Sequence, residues 1–199
     1  KIGRRFNRDW IFQEISYTFK TGESYAILGA NGSGKSTLLQ IIAGNLTSSS
    51  GTVSYSENSL ALDIESVYPQ ISLAAPYLEL IEEFTLQEIA DFHFNFKRYR
   101  DGVDTKVFLN LLALKNAQHK LLKNFSSGMK QRVKLALAFC ADTPVLLLDE
   151  PTANLDQQGI DWYLSLIDKF SRDRLVIVCS NQEQEYRFCT QTLNVANYK

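Results

Sequence analysis

The stretch "GANGSGKST", Gly29 to Thr37, constrains the fold of this chain more than any other segment. The apolar run Tyr25 to Leu28 precedes it and Leu38 to Ile42 follows it. A short buried strand therefore has to turn through a glycine-rich loop into a helix. Gly29, Gly34, Lys35 and Ser36 stand at the spacing G-x-x-x-x-G-K-S of a phosphate cradle. Glycines let backbone N–H groups turn inward around phosphate oxygens without Cβ clashes, and the new helix directs the positive end of its dipole at the anion. Asn31, Gly32 and Ser33 complete the loop. Lys35 is placed to bridge the β- and γ-phosphates, Ser36 to ligate Mg²⁺, and Thr37 to add a backbone or hydroxyl contact. The implied ligand is a nucleoside triphosphate.

Such a loop needs a sheet behind it, and the rest of the chain supplies one. "WIFQEISYTF" (Trp10 to Phe19), "GTVSYS" (Gly51 to Ser56), "SVYPQ" ended by Pro69, "VLLLD", "RLVIVCS" and "TLNVAN" read as strands, alternating with helical patterns. Several of these strands are apolar on both faces, which predicts a mainly parallel α/β sheet. From about Ile71 the pattern changes. Leu78, Ile81, Phe84, Leu86, Ile89, Phe92 and Phe96, then Val107, Leu111, Leu112 and Leu114, recur at helical spacing. The expectation is one domain over 1–199, with a core at about 1–70 and 129–199 and a helical subdomain inserted at about 71–128. The first residues, "KIGRRFNRDWIF", read as if the chain enters partway along a strand.

Composition narrows the classes. A chain of 199 residues suits one core, and a formal net charge of −1 gives no bulk attraction to nucleic acid, so none is expected as a partner. The three cysteines form no C-x-x-C pair, and the two histidines sit apart from any acidic or thiol cluster, which argues against a transition-metal site. No apolar run approaches the length of a membrane span and no signal peptide opens the sequence, so a soluble chain is expected.

"VLLLDEP", Val145 to Pro151, narrows the chemistry. Four apolar residues and then Asp149 describe a buried strand ending at the phosphate edge, where an aspartate holds Mg²⁺. Glu150 follows directly, and a carboxylate one residue past the metal ligand can polarise an attacking water. The pair argues for hydrolysis rather than transfer to a bound acceptor.

"NFSSGMKQR", Asn124 to Arg132, lies before a helix and ahead of that strand, and resembles the signature loop of the ABC ATPases. Ser126 and Gly128 match its serine and second glycine, whereas Phe125, Ser127 and Met129 depart from the common Leu, Gly and Gln. The resemblance spans essentially the whole chain. It implies the P-loop NTPase fold of an ABC-type nucleotide-binding domain, with ATP and Mg²⁺ as cofactors. Ser126 and Gly128 are then expected to grip the γ-phosphate of ATP held by a partner subunit. "EPTANLD" resembles the loop that ends in Asp156 and contacts the opposite subunit. Gln70, after Pro69 at an expected strand end, resembles the glutamine that reaches the metal and the attacking water. Phe6 stands where the family stacks an aromatic on adenine, although a core role fits equally and Trp10 is close by.

One family residue is missing. Where a switch histidine usually ends a strand, "LVIVCSNQEQE" has Asn181. Asn181 can donate a neutral hydrogen bond to the γ-phosphate but carries no charge and shuttles no proton. The resemblance thus implies a slow ATPase with Glu150, Lys35, Gln70 and Asn181 in catalysis. It also implies a transporter subunit, cytoplasmic and peripheral on the inner face of the membrane. Its partners would be a separate transmembrane permease subunit, docked along Ile71 to Glu88, and a second ABC ATPase subunit closing head to tail. The alternatives are a soluble ABC-type ATPase outside transport and an ATP-gated clamp with weak hydrolysis.

Overall fold

A computed structural model describes residues 1–114 and 117–199. Residues 115 and 116, within the expected helical insert, lie outside the described residues. The core is a five-stranded, wholly parallel sheet built from β3 (Ser24–Leu28), β6 (Ile71–Ala74), β7 (Val145–Asp149), β8 (Leu175–Cys179) and β9 (Gln191–Asn194). Its spatial order is β6-β7-β8-β3-β9. The three central strands are buried on both faces, which is why they read as unbroken apolar runs. Two antiparallel hairpins stand beside the sheet: β1 (Ile2–Phe6) with β2 (Asp9–Ile15), and β4 (Tyr55–Glu57) with β5 (Leu60–Leu62).

One face of the sheet takes α1 (Lys35–Ile42), whose Leu38, Leu39 and Ile41 pack with Phe12, Leu147 and Ile177. The other face takes α4 (Ser127–Cys140) and α5 (Gln157–Phe170), through Leu135, Phe139, Tyr163 and Leu166 against Leu146, Leu148, Val176 and Val178. Phe139 and Leu135 have no exposed surface, and burying side chains of this size contributes about 1.5–3 kcal/mol each.

The helical lobe contains α2 (Leu86–Phe96) and α3 (Thr105–Leu111) and closes on the back of α4 with Leu86, Ile89, Phe108, Leu122, Val133 and Leu137. Thr85 and Glu88 start α2 with reciprocal bonds: Thr85 Oγ1 accepts from the Glu88 N–H at 3.2 Å and the Glu88 carboxylate accepts from the Thr85 N–H at 2.7 Å. A short α6 (Glu183–Tyr186) follows β8. No helix among the described residues is long and apolar enough to cross a membrane.

The structure corrects the sequence reading at the start of the lobe. "SVYPQ" is two short 3₁₀ turns, Ile64–Ser66 and Tyr68–Gln70, and the strand is the next four residues. Ile71–Ala74 pairs one for one with Val145–Leu148, so it belongs to the core and the helical insert begins after it. A four-residue stretch is too short to carry a period of its own, so only pairing with β7 distinguishes it from the helical pattern that follows. Two lysines, one just after α2 and one in α4, hold the chain on either side of this strand. Lys97 Nζ donates to Tyr68 O at 2.7 Å and to Ile71 O, and Lys134 Nζ donates to Pro76 O at 2.7 Å.

Candidate nucleotide-binding site

The strand order brings separate parts of the sequence to one edge. Reading across the C-terminal ends of β6, β7, β8 and β3, the chain delivers the segment after Ala74, then Asp149 and Glu150, then Asn181, then the P-loop. Ligands of open parallel sheets bind at this end of the strands.

The P-loop leaves β3 and enters α1 at Gly34, whose φ of 102° lies in the left-handed region. A Cβ on Gly34 would also stand 2.4 Å from Ile11 Cγ2, so hairpin β1–β2 can approach only because the residue is glycine. Lys35 is 5% exposed, and its Nζ donates to Gly29 O at 2.8 Å and Ala30 O at 3.3 Å. The ammonium is thus folded into its own loop, ringed by backbone groups. Ser33 is buried with no hydrogen-bond partner for its Oγ. Ser36 and Thr37 occupy the first turn of α1, where backbone N–H groups have no intrahelical acceptor.

Asp149 ends β7, is 2% exposed, and has no standard hydrogen bond to either carboxylate oxygen. Burial raises its pKa, and the Glu150 charge adds to this, while the nearby Ser36 and Tyr77 hydroxyls and the Lys35 ammonium pull the other way. A buried carboxylate with free lone pairs beside a lysine and a serine hydroxyl fits a divalent cation bound to phosphate. Lys35, Ser36 and Asp149 would hold ATP–Mg²⁺ between them. Glu150 is exposed, and its φ of 41° is a strained, left-handed backbone for a non-glycine residue. The Glu150 N–H donates to Cys179 O at 2.9 Å, which anchors the turn while the side chain stays free for solvent.

Asn181 leaves β8 facing the P-loop, its Nδ2 donating to Asn31 Oδ1 at 2.8 Å. Phe6 is 52% exposed at the tip of hairpin β1–β2, with the Arg4 guanidinium 4.8 Å from its ring centre, so it is not a core residue. Trp10, one strand across, is 38% exposed with Arg5 over it.

Ser126 caps α4, its Oγ accepting from the Met129 N–H at 3.2 Å. A Cβ on Gly128 would lie 2.7 Å from Asn154 O, so glycine is what lets the segment after Glu150 run against the signature. Among the described residues, no hydrogen bond joins the signature to the P-loop of its own chain. Asp156 caps α5 by accepting from the Gly159 N–H at 2.8 Å and pairs with Arg132 at 3.6 Å.

Gln70 does not reach the site. It lies before β6, at the N-terminal edge of the sheet, among Ile15, Tyr17, Pro144, Val145 and Leu175. The strand after it carries the chain the length of the sheet before the phosphate edge is reached. The residue that sequence reasoning missed is Tyr77, beside Asp149 and Gln40. Burial and the Asp149 charge hold its hydroxyl up at about 12. Glu185 was missed as well. It is fully buried in α6, and its carboxylate accepts from the Thr152 N–H at 2.9 Å and from the Thr152 hydroxyl, tying the post-Glu150 loop to the segment after Asn181.

The ABC transporter profile matches residues 12–153. An uncharacterized ABC transporter ATP-binding protein, YybJ of Bacillus subtilis, is 27% identical over 92% of this chain and 84% of its own length. The sulfate/thiosulfate import ATP-binding protein CysA of Mesostigma viride is 33% identical over 92% of this chain, which spans 54% of that relative. Among solved structures, the ATP-binding cassette MJ0796 bound to ADP and Pi superposes with a TM-score of 0.82 at 22% identity, over 97% of this chain and 91% of that one.

The chain belongs to the ABC transporter family. Within it, the fold is that of an ATP-binding cassette.

Proposed function

We propose that this chain hydrolyses ATP bound with Mg²⁺ and drives a transporter through a separate membrane subunit. The observation that carries the reading is the pair at the end of β7: Asp149 buried with both oxygens unpartnered, and Glu150 turned out beside it on a strained backbone. Mg²⁺ would neutralise charge developing on the phosphate oxygens. Glu150 would orient the attacking water and accept its proton, Lys35 would hold the terminal phosphates, and Ser36 with Asp149 would hold the metal. The signature bonds to its own helix and lies along its own chain's Asn154, which supports completion of each site by Ser126 and Gly128 of a second cassette, head to tail.

Below α4 the lobe opens a cleft of about 720 Å³ between Pro76, Leu78, Leu80 and Ile81 and Lys130 and Lys134. It suits a short helix of a permease on the inner face of the membrane. Purifying the native complex in mild detergent tests this reading by mass spectrometry. A polytopic membrane protein in stoichiometric amount is expected, and ribosomal proteins or no partner would overturn the transporter role.

Asn181 sets the rate in this scheme. A charge-assisted bond to phosphate contributes roughly 1.5–3 kcal/mol against about 1 for a neutral one. The deficit of on the order of 1–2 kcal/mol slows turnover about five- to thirtyfold. Asn181→His should raise the ATPase rate by that factor, and an unchanged or lower rate would sink this account of the position.

A further inference from the structure

A non-glycine residue with the φ of 41° found at Glu150 stays there only where its surroundings fix the backbone. The turn after β7 closes on itself, with the Ala153 N–H donating to Glu150 O and the Leu155 N–H to Thr152 O, both at 3.0 Å. Two buried side chains then grip it from outside. Gln131 of α4 donates its amide to Pro151 O at 3.0 Å. The Glu185 carboxylate accepts from the Thr152 N–H at 2.9 Å and, on the same oxygen, from the Thr152 hydroxyl. Glu185 is fixed in its turn by α5, whose buried Tyr163 hydroxyl donates to Glu185 O at 2.8 Å. It stands four positions after Asn181, on the short helix α6.

We propose that Glu185 is a positioning residue for hydrolysis, its carboxylate holding Thr152, and through it the Glu150 turn, in register with the segment that carries Asn181. This rests on the ATPase reading above. A fully buried carboxylate is costly, and Glu185 leaves its second oxygen without a partner. An apolar side chain would fill the same space at less cost if packing were its purpose. What the carboxylate adds is one acceptor for the backbone and the side chain of a residue two positions from Glu150, so Thr152 can neither slide nor rotate. Asn181 bonds Asn31 of the P-loop at 2.8 Å. Through Glu185, the side chain facing the phosphate loop and the carboxylate facing the water therefore belong to one rigid unit. Displacing a reacting group by about 1 Å can cost about a hundredfold in rate, so such an anchor acts on hydrolysis without touching ATP.

The test measures ATP affinity and single-turnover hydrolysis in the native complex for the wild type, Glu185→Ala, Glu185→Gln and Thr152→Val. Glu185→Ala should hydrolyse about ten- to a hundredfold more slowly while its affinity for ATP stays within about twofold. Glu185→Gln, which keeps an acceptor for the Thr152 N–H, should stay within about threefold of the wild-type rate. Thr152→Val removes only the hydroxyl contact and should slow hydrolysis about three- to tenfold, which carries the test if Glu185→Ala fails to fold. Placed on Glu150→Gln, Thr152→Val should cause no further loss, because the group it positions is already gone. An unchanged rate in Thr152→Val, equal losses of rate and affinity, a Glu185→Gln as slow as Glu185→Ala, or a full further loss on Glu150→Gln would each overturn the proposal and leave Glu185 a packing residue. A wild-type complex that binds ATP without hydrolysing it would overturn the ATPase reading along with it.

Discussion

The two ends of the parallel strands treat their polar groups in opposite ways. At the N-terminal edge, Ser72 and Thr143 share a buried hydrogen bond of 2.9 Å. Arg174, 1% exposed, donates to Thr143 and to the last carbonyls of α4, at 3.3 Å on Phe139 O and 3.4 Å on Ala138 O. Lys97 is closed onto Tyr68 O and Ile71 O, and burial lowers its pKa to about 8. At the C-terminal edge, Asp149 is as deeply buried as these groups and has no partner, and Ser33 Oγ is equally bare. Burial is similar, but Arg174 leaves only its Nε without a partner, whereas the Asp149 carboxylate leaves both oxygens bare. Polar groups that pair with the protein hold the fold together, whereas those kept unpaired at a free-energy cost are kept for a ligand.

Substitutions can break or sharpen this contrast. The largest effect belongs to Glu150→Gln, which should cut single-turnover hydrolysis by about 10²–10⁴ while ATP still binds, since only the water-polarising group is lost. Retained hydrolysis would remove Glu150 from the chemistry.

Thr143→Val comes next, at the satisfied edge. It keeps shape but strips Ser72 and Arg174 of a buried partner, and should cost about 2–3 kcal/mol in urea unfolding. ATP affinity should not change, because the site is at the other end of the strands. A change in affinity would show that the two edges are coupled.

The smallest effect has the opposite sign. Asp149→Asn removes a buried charge that its surroundings disfavour, so the nucleotide-free protein should gain about 1–2 kcal/mol. Binding of ATP–Mg²⁺ should weaken at the same time. A destabilised apo variant would mean that Lys35 and Ser36 already satisfy the carboxylate.

Much of this was legible in the sequence wherever a local pattern carried the chemistry. The P-loop is written in the turn between an apolar strand and a helix, and Asp149 with Glu150 in the end of a fully apolar strand. Ser126 is written in the start of α4, where a serine before a helical run caps it. Each depends on residues a few positions apart, so spacing alone suffices.

What the sequence could not determine depends on register across the sheet. Gln70 and Tyr77 are seven positions apart, and only the pairing of Ala74 with Leu148 puts the tyrosine beside Asp149 and the glutamine at the far edge. Ile71–Ala74 is too short to declare itself a strand, because one-for-one pairing with β7, not periodicity, makes it one. The same holds for Asn181 on Asn31 and for Glu185 under Thr152, which meet because β8 lies between β3 and β7. A local sequence pattern determines what a segment is. Which distant segment it faces is decided only when burial of the apolar strands fixes their order.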